Sequence, residues 1–425
     1  MIVLLKQFMR EGYFMQFETL CVVGLGYIGL PTAVTFAEHG IHVHGVDIKT
    51  RSIEEINRGE APFVEQSLAE HLSKMVQAGR LEASLEPARA DATIISVPTP
   101  FCIDKHADLS YIEAAVATIA PVLYPDALVV LESTSPPGTT EMLAHWIAEA
   151  RPDLVDADNN LMVDVVHCPE RVLPGQVLTE LVTNDRVVGG LTPRAAARGK
   201  ELYSIICKGQ ILETDARTAE MSKCVENSFR DVNIAFANEL SLICDRLGID
   251  VWELIKLANH HPRVHILNPG PGVGGHCLAV DPWFIVAADP EDAKIIKLAR
   301  ETNDAKPMWV VKKVEEAVAG MEAPAIAALG LAFKPDIDDL RESPAQHVTE
   351  ILAKEFPHGH ILAVEPNVKR LPKELAVLPN VDLVDYGTAL EQADSIVLLV
   401  DHKEFLPKPN LREGVTVIDT RGVWH

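Results

Sequence analysis

The sequence predicts an α/β protein in which two doubly wound, Rossmann-like domains are joined by a long central helix. First, a strand, a Gly-rich turn, a helix and a second strand follow one another between Leu20 and Asp47. Second, apolar strands resume near residue 325 and recur toward the C-terminus. Third, apolar residues recur every three or four positions over residues 218–247, which predicts a helix of about 30 residues. We therefore expect the three domains to cover residues 18–210, 211–318 and 319–425.

The composition argues against several classes of partner and site. A net charge of −23 argues against nucleic acid or an anionic membrane surface as a general partner. Seven cysteines without a C-x-x-C spacing argue against a disulfide framework or a zinc site, and they indicate a reducing cytoplasm. The sequence has no apolar stretch long enough to predict a membrane span. Residues 1–17 differ from the rest and are predicted to be an N-terminal extension outside the fold.

The turn after the first strand carries Gly24, Gly26 and Gly29, and the next strand ends at Asp47. In this context the first glycine forms the tight turn and the second allows a pyrophosphate to approach. The third packs the following helix against the strand, so that the phosphates lie at the helix N-terminus. Asp47 is suited to accept from ribose hydroxyls and to repel a 2′-phosphate, so the pattern predicts NAD rather than NADP.

Polar residues follow three further strands. Short apolar runs predict strands at residues 20–23, 43–46, 92–97, 127–131, 163–166, 325–329, 360–364, 395–400 and 415–418. Thr99 and Thr134 follow the third and fourth of these strands, where doubly wound sheets bind ligands, so we expect both to contact the cofactor. Glu170 and Arg171 follow the fifth strand, and the sequence leaves open whether they contact a ligand or form an ordinary solvated pair.

The central helix carries Lys223, Asn227 and Arg230 at spacings of four and three residues, so the three side chains share one face. Such a stripe is usually a solvated surface, but this helix begins the segment that leads to an unusual loop. Gly248 is predicted to end the helix, and a second helix is predicted over residues 252–259.

That loop is rich in Gly and Pro over residues 269–275 and is followed by Cys277 and, four residues later, by Asp281. Glycine allows a backbone to approach a ligand closely, and one helical turn would bring the thiol and the carboxylate to one side. An isolated cysteine in such a place is more often structural. His260 and His261 precede the loop without a matching ligand set, so no metal site is expected.

Together these motifs resemble the UDP-glucose/UDP-mannose dehydrogenase family over about residues 18–425. The resemblance rests on separate motifs at residues 24–29, 132–134, 169–171, 223 with 227, 274–277, 333–334 and 341–343. Residues 168–175 and 260–264 are most similar to the branch that oxidises UDP-N-acetyl-D-mannosamine. The resemblance implies a four-electron oxidation of the sugar C6 alcohol to a carboxylate with two NAD⁺ used in turn, in the synthesis of a surface polysaccharide.

The resemblance also implies covalent catalysis by Cys277. A thiolate adds to the intermediate aldehyde and gives a thiohemiacetal, which loses a second hydride to become a thioester that water hydrolyses. Lys223 is implied to be a general acid/base or an oxyanion stabiliser, and Asn227 is implied to hold the oxyanion or a water. Asp281 and Glu170 both remain candidates to orient or activate the hydrolytic water.

Binding residues and a partner follow from the same resemblance. The cofactor positions are Gly24, Gly26, Tyr27, Ile28, Gly29, Asp47, Thr99, Thr134 and Arg341, together with Arg51, which is offset by one residue from the family pattern. The nucleotide-sugar positions are Arg171, Val172, Lys223, Asn227, Arg230, His261, Arg263, Gly274, Phe333 and Lys334. The resemblance implies a homodimer through the central helix, with the partner subunit's Arg263 reaching the substrate.

Alternatives remain open at this level. Another UDP-sugar 6-dehydrogenase, acting on the glucosamine epimer or on glucose, would carry the same catalytic residues. A non-catalytic NAD- or UDP-sugar-binding regulator would not need Cys277, Lys223, Asn227 and Asp281, all of which are present. A two-electron hydroxyacid dehydrogenase shares the Gly-rich turn but has no use for Cys277, and it predicts one NADH per substrate rather than two.

Overall fold

The computed structural model describes residues 17–63, 65–102, 104–173, 175–275 and 277–424. The predicted N-terminal extension up to residue 16 lies outside the described residues, as do Pro174 and His276 of two predicted motifs. The chain divides into two compact units, of which the first ends at Cys224 and the second begins at Val225. Each unit contains one doubly wound sheet, which confirms the predicted fold class. The three domain boundaries stay predictions.

The first unit is built on an eight-stranded sheet of order β3-β2-β1-β4-β5-β6-β7-β8, in which only the β6–β7 pair is antiparallel. Its strands are β1 (Thr19–Val23), β2 (His42–Val46), β3 (Leu81–Ser84), β4 (Ala92–Ile95), β5 (Leu128–Leu131), β6 (Asp164–His167), β7 (Arg186–Gly190) and β8 (Ile211–Asp215). Its helices are α1 (Gly29–Glu38), α2 (Thr50–Asn57), α3 (Leu68–Gln77), α4 (Ser110–Ile119), α5 (Thr139–Ala150), α6 (Val177–Thr183) and α7 (Pro193–Tyr203). Phe17 packs in the core of this unit.

Strand register places five predicted site segments at one edge of this sheet. Val23 at the end of β1 pairs with Val46 and Ile95, and Leu131 pairs with Ile95 and His167. Because these strands are parallel, the Gly-rich turn and the segments after β2, β4, β5 and β6 all leave the sheet at its carboxyl edge. This edge is where open α/β sheets bind ligands.

The second unit is built on a five-stranded parallel sheet of order β11-β10-β9-β12-β13. Its strands are β9 (Ala325–Leu329), β10 (His360–Val364), β11 (Val381–Leu383), β12 (Ser395–Leu398) and β13 (Thr416–Asp419). Its helices are α9 (Val251–Ala258), α10 (Asp281–Ala288), α11 (Lys294–Ala317), α12 (Pro344–Glu355), α13 (Lys373–Ala376) and α14 (Tyr386–Gln392).

The predicted long helix is α8 (Ala216–Leu247), which has 32 residues and contains the division between the two units. It ends before Gly248, whose φ of +67° lies in the left-handed region. Five large apolar side chains of α8 are exposed beyond Cys224, namely Val225, Phe229, Phe236, Ile243 and Leu247. Within the described part of the chain, no helix is both long and apolar enough to cross a membrane.

Candidate active site

The Gly-rich turn after β1 has the geometry that its three glycines predict. Gly24 has a φ of +92°, and a Cβ there would lie 2.3 Å from the carbonyl oxygen of Ser96. A Cβ on Gly29 would lie 1.8 Å from the carbonyl oxygen of Gly24, so α1 packs directly on the turn. Gly26 is exposed, and a Cβ there would meet nothing within 4 Å. The turn is therefore closed on its inner side and open on the side from which a pyrophosphate would approach.

Asp47 lies beside this turn and is half-buried. Its Oδ2 accepts from the amide of Leu25 at 3.0 Å, and its Oδ1 accepts from the amide of Lys49 at 2.9 Å. These bonds fix the carboxylate at the end of β2, where a ribose of a bound dinucleotide would lie. Arg51 instead points to Glu55, with its Nε 2.8 Å from Oε1, so its predicted cofactor contact has no support from this geometry.

Thr99 and Thr134, predicted from two separate strands, are joined by a hydrogen bond. The Thr99 hydroxyl donates to the carbonyl oxygen of Thr134 at 2.6 Å. Tyr27, in the Gly-rich turn, is exposed and stacks on Phe63 with ring centroids 4.3 Å apart. Ile28, also predicted to contact the cofactor, directly precedes the first residue of α1. The carboxyl edge of the first sheet thus holds the glycines, Asp47 and the threonine pair that a dinucleotide site requires.

The loop after β6 carries Glu170 near Lys223 of α8. Lys223 is buried and Glu170 is half-buried. Burial raises the pKa of Glu170 to about 8, although the Lys223 ammonium opposes the shift. A carboxyl group with a pKa near the working pH is suited to both accept and donate a proton. The Glu170 carboxylate also accepts from the amide of Val172, which holds the loop in a tight turn.

Neighbouring contacts hold Arg171 and the start of α8. Nη1 of Arg171 donates to the carbonyl oxygen of Asp185 at 3.2 Å, so this predicted substrate residue has a structural contact as well. The buried Glu220 carboxylate accepts from the amides of Gly138 and Thr140 at 2.6 and 2.7 Å. This ties α8 to the segment after β5 one turn before Lys223.

The structure adds a buried histidine that the sequence analysis missed. His167 is the last residue of β6, and neither ring nitrogen has a hydrogen-bond partner among the described residues. Burial, together with a smaller contribution from the Lys223 ammonium, lowers the pKa of His167 to about 3, so the ring is neutral beside that lysine. The sequence feature that could have identified His167 as a site residue was its position at the end of a predicted strand.

A second buried group near Glu170 is Glu132, which the sequence analysis placed in a motif without giving it a role. The carboxylate of Glu132 accepts from the Thr32 hydroxyl at 3.3 Å and from the Tyr203 hydroxyl at 3.3 Å. Burial raises the pKa of Glu132, and the nearby Arg186 opposes that shift. Burial likewise raises the pKa of Cys168 to about 11, which disfavours the thiolate that a nucleophile requires.

In the second unit, Cys277 and Asp281 lie on one helical turn, as their spacing predicts. The Asp281 amide donates to the carbonyl oxygen of Cys277 at 2.9 Å. Nδ2 of Asn227 donates to Oδ2 of Asp281 at 2.5 Å. Cys277 is half-buried, whereas Asp281 and Asn227 are buried. The structure therefore brings three of the five predicted catalytic residues together within this unit.

The glycines before Cys277 pack against two other predicted motifs. A Cβ on Gly274 would lie 2.4 Å from the carbonyl oxygen of Glu342, and a Cβ on Gly275 would lie 2.9 Å from the Phe333 ring. Gly275 also has a φ of +81°. Only glycine fits at either position, so the loop approaches the turns after β9 and before α12 as closely as a backbone can.

The cations predicted for the substrate differ in their contacts. Arg230, Arg263 and Lys334 are exposed, and none of them forms an ion pair within the described ranges. Neither Arg263 nor His261 forms a side-chain hydrogen bond with the Cys277 loop there, and the Arg263 amide donates to His261 Nδ1 at 3.4 Å. Arg341 is paired with Asp339 at 2.7 Å.

Three successive parts of the chain match domains of one protein family. Residues 18–207 match the NAD binding domain of the UDP-glucose/GDP-mannose dehydrogenase family, residues 217–305 match its central domain, and residues 327–425 match its UDP binding domain. These matches confirm the family that the sequence resembles, with GDP-mannose in place of UDP-mannose as its second named sugar nucleotide.

Relatives match along nearly the whole chain. A UDP-N-acetyl-D-mannosamine dehydrogenase from Yersinia pestis is 55% identical over 422 residues, which cover 96% of this chain and 100% of the relative. An NDP-N-acetyl-D-galactosaminuronic acid dehydrogenase from Ralstonia nicotianae is 54% identical over 413 residues, with 96% of each chain covered. The solved structure of a UDP-D-ManNAc dehydrogenase from Pyrococcus horikoshii has a TM-score of 0.84 at 38% identity and covers 95% of this chain and 96% of that one.

The residues at the edge of the first sheet fit the cofactor that these matches imply. The open glycine at position 26 and the carboxylate of Asp47 suit a dinucleotide, and both lie within the matched NAD binding domain. The chain belongs to the UDP-glucose/GDP-mannose dehydrogenase family, and its cofactor is NAD.

Proposed function

We propose that the protein oxidises C6 of UDP-N-acetyl-D-mannosamine to a carboxylate and consumes two NAD⁺ for each sugar. The observation that carries this proposal is the half-buried Cys277, on a loop where only glycine fits and one turn from the Asn227–Asp281 pair. The relatives named as UDP-N-acetyl-D-mannosamine dehydrogenases, at 54–55% identity, support the choice of sugar. The product is a uronic acid for a surface polysaccharide, made in the cytoplasm.

The thiol explains why the oxidation does not end at the aldehyde. Bound NAD⁺ supplies the hydride acceptor for both oxidations. The Cys277 thiolate adds to the aldehyde carbon, and the resulting thiohemiacetal again carries a C–H bond that can be oxidised. The thioester formed by that oxidation stays attached to the protein until water cleaves it. The overall reaction takes one alcohol, two NAD⁺ and one water to one carboxylate, two NADH and three protons.

The neighbouring side chains are assigned by their chemistry. Lys223 acts as the acid/base for the alcohol or stabilises the oxyanion, roles that a buried lysine serves. Asn227 is held by its bond to Asp281, and its second amide hydrogen is available to an oxyanion or a water. Glu170, with a pKa of about 8, and Asp281 are the candidates that activate the hydrolytic water.

The charge of the substrate explains the remaining polar residues. We assign the pyrophosphate to the exposed cations Arg230, Arg263 and Lys334, because none of them forms an ion pair within the described ranges and a nucleoside diphosphate would supply the anion. The other proposed substrate contacts are made by Arg171, Val172, Lys223, Asn227, His261, Gly274 and Phe333. We assign the cofactor contacts to the Gly-rich turn, Asp47, Thr99, Thr134 and Arg341.

We also propose a homodimer through the exposed apolar face of α8, in which the partner subunit's Arg263 reaches the substrate. Five large apolar side chains on one helix exceed the scattered single residues that a monomer surface usually shows. Phe236→Asp should convert a species of twice the 46.5 kDa chain mass into a monomer in sedimentation velocity. A monomeric unmodified protein would refute this part.

The deciding experiment measures the NADH formed at completion with UDP-ManNAc, UDP-GalNAc, UDP-GlcNAc and UDP-glucose offered separately. Two NADH per UDP-ManNAc, with little from the others, is the expected result. UDP-GalNAc is included because a galactosaminuronic acid dehydrogenase is 54% identical to this chain. Two NADH from a different sugar would keep the mechanism and reject the substrate.

The covalent step has its own control. Cys277→Ser should prevent the second oxidation, so that at most one NADH per sugar forms. Cys102→Ser, which changes an exposed cysteine of the first unit, should leave the yield at two. If Cys277→Ser completed both oxidations at the rate of the unmodified enzyme, the thiohemiacetal mechanism would be wrong.

A further inference from the structure

One buried hydrogen-bond network holds the loop of Cys277 at both ends. At the start of the loop, the Gly270 amide donates to Oδ1 of Asn238 at 2.9 Å. Just after the thiol, Nη1 of Arg300 donates to the carbonyl oxygen of Leu278 at 3.4 Å. Asn238 lies on α8 and Arg300 lies on α11, so Gly270 and Leu278 are each tied to a long helix.

Two further residues join these contacts into one chain, which we call the anchoring network (Asp231, Asn238, Arg300 and Asn303). Nδ2 of Asn238 donates to Oδ1 of Asn303 at 2.9 Å, and Nδ2 of Asn303 donates to Oδ1 of Asp231 at 2.8 Å. Nη1 of Arg300 donates to the same carboxylate oxygen at 2.6 Å. Each of the four residues is at most 1% exposed, so water does not replace these bonds.

The direction of every bond in the anchoring network is fixed by its ends. A backbone amide only donates, so Asn238 must turn its oxygen to Gly270 and its NH₂ group to Asn303. Asn303 must then turn its NH₂ group to Asp231, whose ionised carboxylate only accepts. Arg300 compensates the buried charge, which would be costly alone. Buried hydrogen bonds whose directions are fixed in this way favour one arrangement of the backbone they hold.

The loop between the two anchors lies against the same helix. Gly272 has a φ of +147°, and a Cβ there would lie 3.4 Å from the carbonyl oxygen of Asn303. The loop itself has no regular secondary structure from residue 264 to residue 275. Its position therefore depends on contacts with α8, α11 and the Phe333 and Pro344 side chains rather than on its own hydrogen bonds.

We propose that Asp231, Asn238, Arg300 and Asn303 are positioning residues that set the location of the Cys277 thiol through the backbone at Gly270 and Leu278. This inference rests on the proposed function of Cys277 as the nucleophile. Attack on a carbonyl requires reacting atoms within about 3–3.5 Å, and a displacement of about 1 Å can cost about 100-fold in rate. The anchoring network supplies that precision to a loop of glycines and prolines.

The first test uses the unmodified protein. Hydrogen–deuterium exchange should find the Gly270 amide as slow as the buried amides of α8, because its acceptor is a fully buried side chain. The amides of Leu267 and Asn268, which are exposed, provide the fast reference. A Gly270 amide that exchanges at the rate of these two residues would overturn the proposal, whatever the variants show.

The second test measures the alkylation of Cys277 by iodoacetamide in folded variants, with the exposed Cys102 as the internal reference. Asn303→Leu interrupts the network, and Arg300→Lys keeps the charge opposite Asp231 but removes the planar fork. In both variants the Cys277 rate should rise about fivefold or more relative to Cys102, because the loop opens. Val310→Ala removes buried volume elsewhere on α11, and it should change the ratio of the Cys277 rate to the Cys102 rate less than twofold.

The effect of interrupting the anchoring network can therefore be distinguished from general destabilisation of the protein. If Asn303→Leu does not fold, Arg300→Lys decides, and a Cys277 rate within twofold of the unmodified protein in a folded variant overturns the proposal. In turnover, both variants should lose about tenfold or more in kcat while the KM for NAD⁺ stays within twofold. Exchange and alkylation need no substrate, so a failure of the proposed function is distinguishable from a failure of this inference.

Discussion

The Gly-rich turn provides a matched pair of substitutions that separates cofactor binding from folding. Gly29→Ala would place a Cβ 1.8 Å from the backbone oxygen of Gly24, whereas ordinary contacts begin near 3.4 Å. The backbone must move by more than 1 Å, and overpacking of this kind costs about 1–3 kcal/mol or more. A contact of 1.8 Å calls for the upper end of that range, about 3 kcal/mol, and subtracting the helix preference for Ala, about 0.5–1 kcal/mol, leaves a net loss near 2 kcal/mol. For a domain of about 200 residues this lowers Tm by about 4–8 °C.

Gly26→Ala is the opposite case. The added Cβ meets nothing within 4 Å, and Gly26 is not among the residues with positive φ, so the fold should be as stable as before. The methyl group stands on the open side of the turn, where the pyrophosphate approaches, so NAD affinity should fall about tenfold or more. At a NAD concentration of 100 times the original Kd, ligand stabilisation then falls from about 2.7 to about 1.4 kcal/mol.

The assay combines isothermal titration with NAD and thermal melts recorded with and without NAD. Gly29→Ala should melt early in both conditions. In the absence of NAD, Gly26→Ala should melt at the same temperature as the unmodified protein. With NAD, it should gain about half of the stabilisation that NAD gives to the unmodified protein. Unchanged NAD affinity in Gly26→Ala would refute the assignment of this turn as the dinucleotide site, and unchanged stability in Gly29→Ala would refute the close packing of α1 on the turn.

Three further outcomes are expected. Burial lowers the pKa of Lys306 from 10.5 to about 7, so the unfolded state binds more protons between these values and stability rises with pH. Lys306→Met should therefore remove a slope of up to about 1.4 kcal/mol per pH unit in denaturant titrations, while the exposed Lys312→Met should not. Asp47→Asn should lower the preference for NAD over NADP about tenfold in kcat/KM, and an unchanged ratio contradicts its role. Gly275→Ala should lower kcat about tenfold without changing NAD affinity, because its Cβ meets the Phe333 ring.

Sequence alone predicted the strands and turns whose causes are local. The strands at residues 325–329 and 360–364 are found within those limits, because buried parallel strands are short apolar runs bounded by turn residues. The long helix was predicted to within two residues of its observed start, because the spacing of three and four residues between apolar side chains persists along the helix. Strand β8 was not predicted, because its residues are half-buried or exposed and show no apolar run.

The buried charges were beyond sequence reasoning for a different reason. Asp231 and Arg300 look like surface residues of helices, yet they are 0% and 1% exposed. Their burial depends on the packing of α8 against α11, which are joined by hydrogen bonds between residues 65–72 positions apart. His167 was overlooked because a histidine at a strand end is not distinctive until its surroundings are known.

The two sheets of the protein repeat one arrangement at their first turns. Gly24 and Gly330 follow the central strands with φ values of +92° and +94°. Their amides donate to the carbonyl oxygens of Val46 and Val364, each at 2.8 Å, at the end of the neighbouring strand. The acid after that strand, Asp47 or Glu365, then accepts from the amide after the glycine.

The second turn nevertheless does not fit a dinucleotide. Buried Ala332 stands at the place that corresponds to the open Gly26, and Pro335 replaces the third glycine. Oε2 of Glu365 accepts from the amides of Leu331 and Ala332 at 2.8 and 3.0 Å, and His402 Nε2 lies 3.0 Å away. Oε1 in turn accepts from the backbone amide and from Nδ2 of Asn367, each at 3.1 Å, so both oxygens are occupied and no lone pair is left for a ribose. Asp47, in contrast, is held at each oxygen by one amide. The same architecture thus serves NAD only in the first sheet, and the difference lies in two glycines and one histidine.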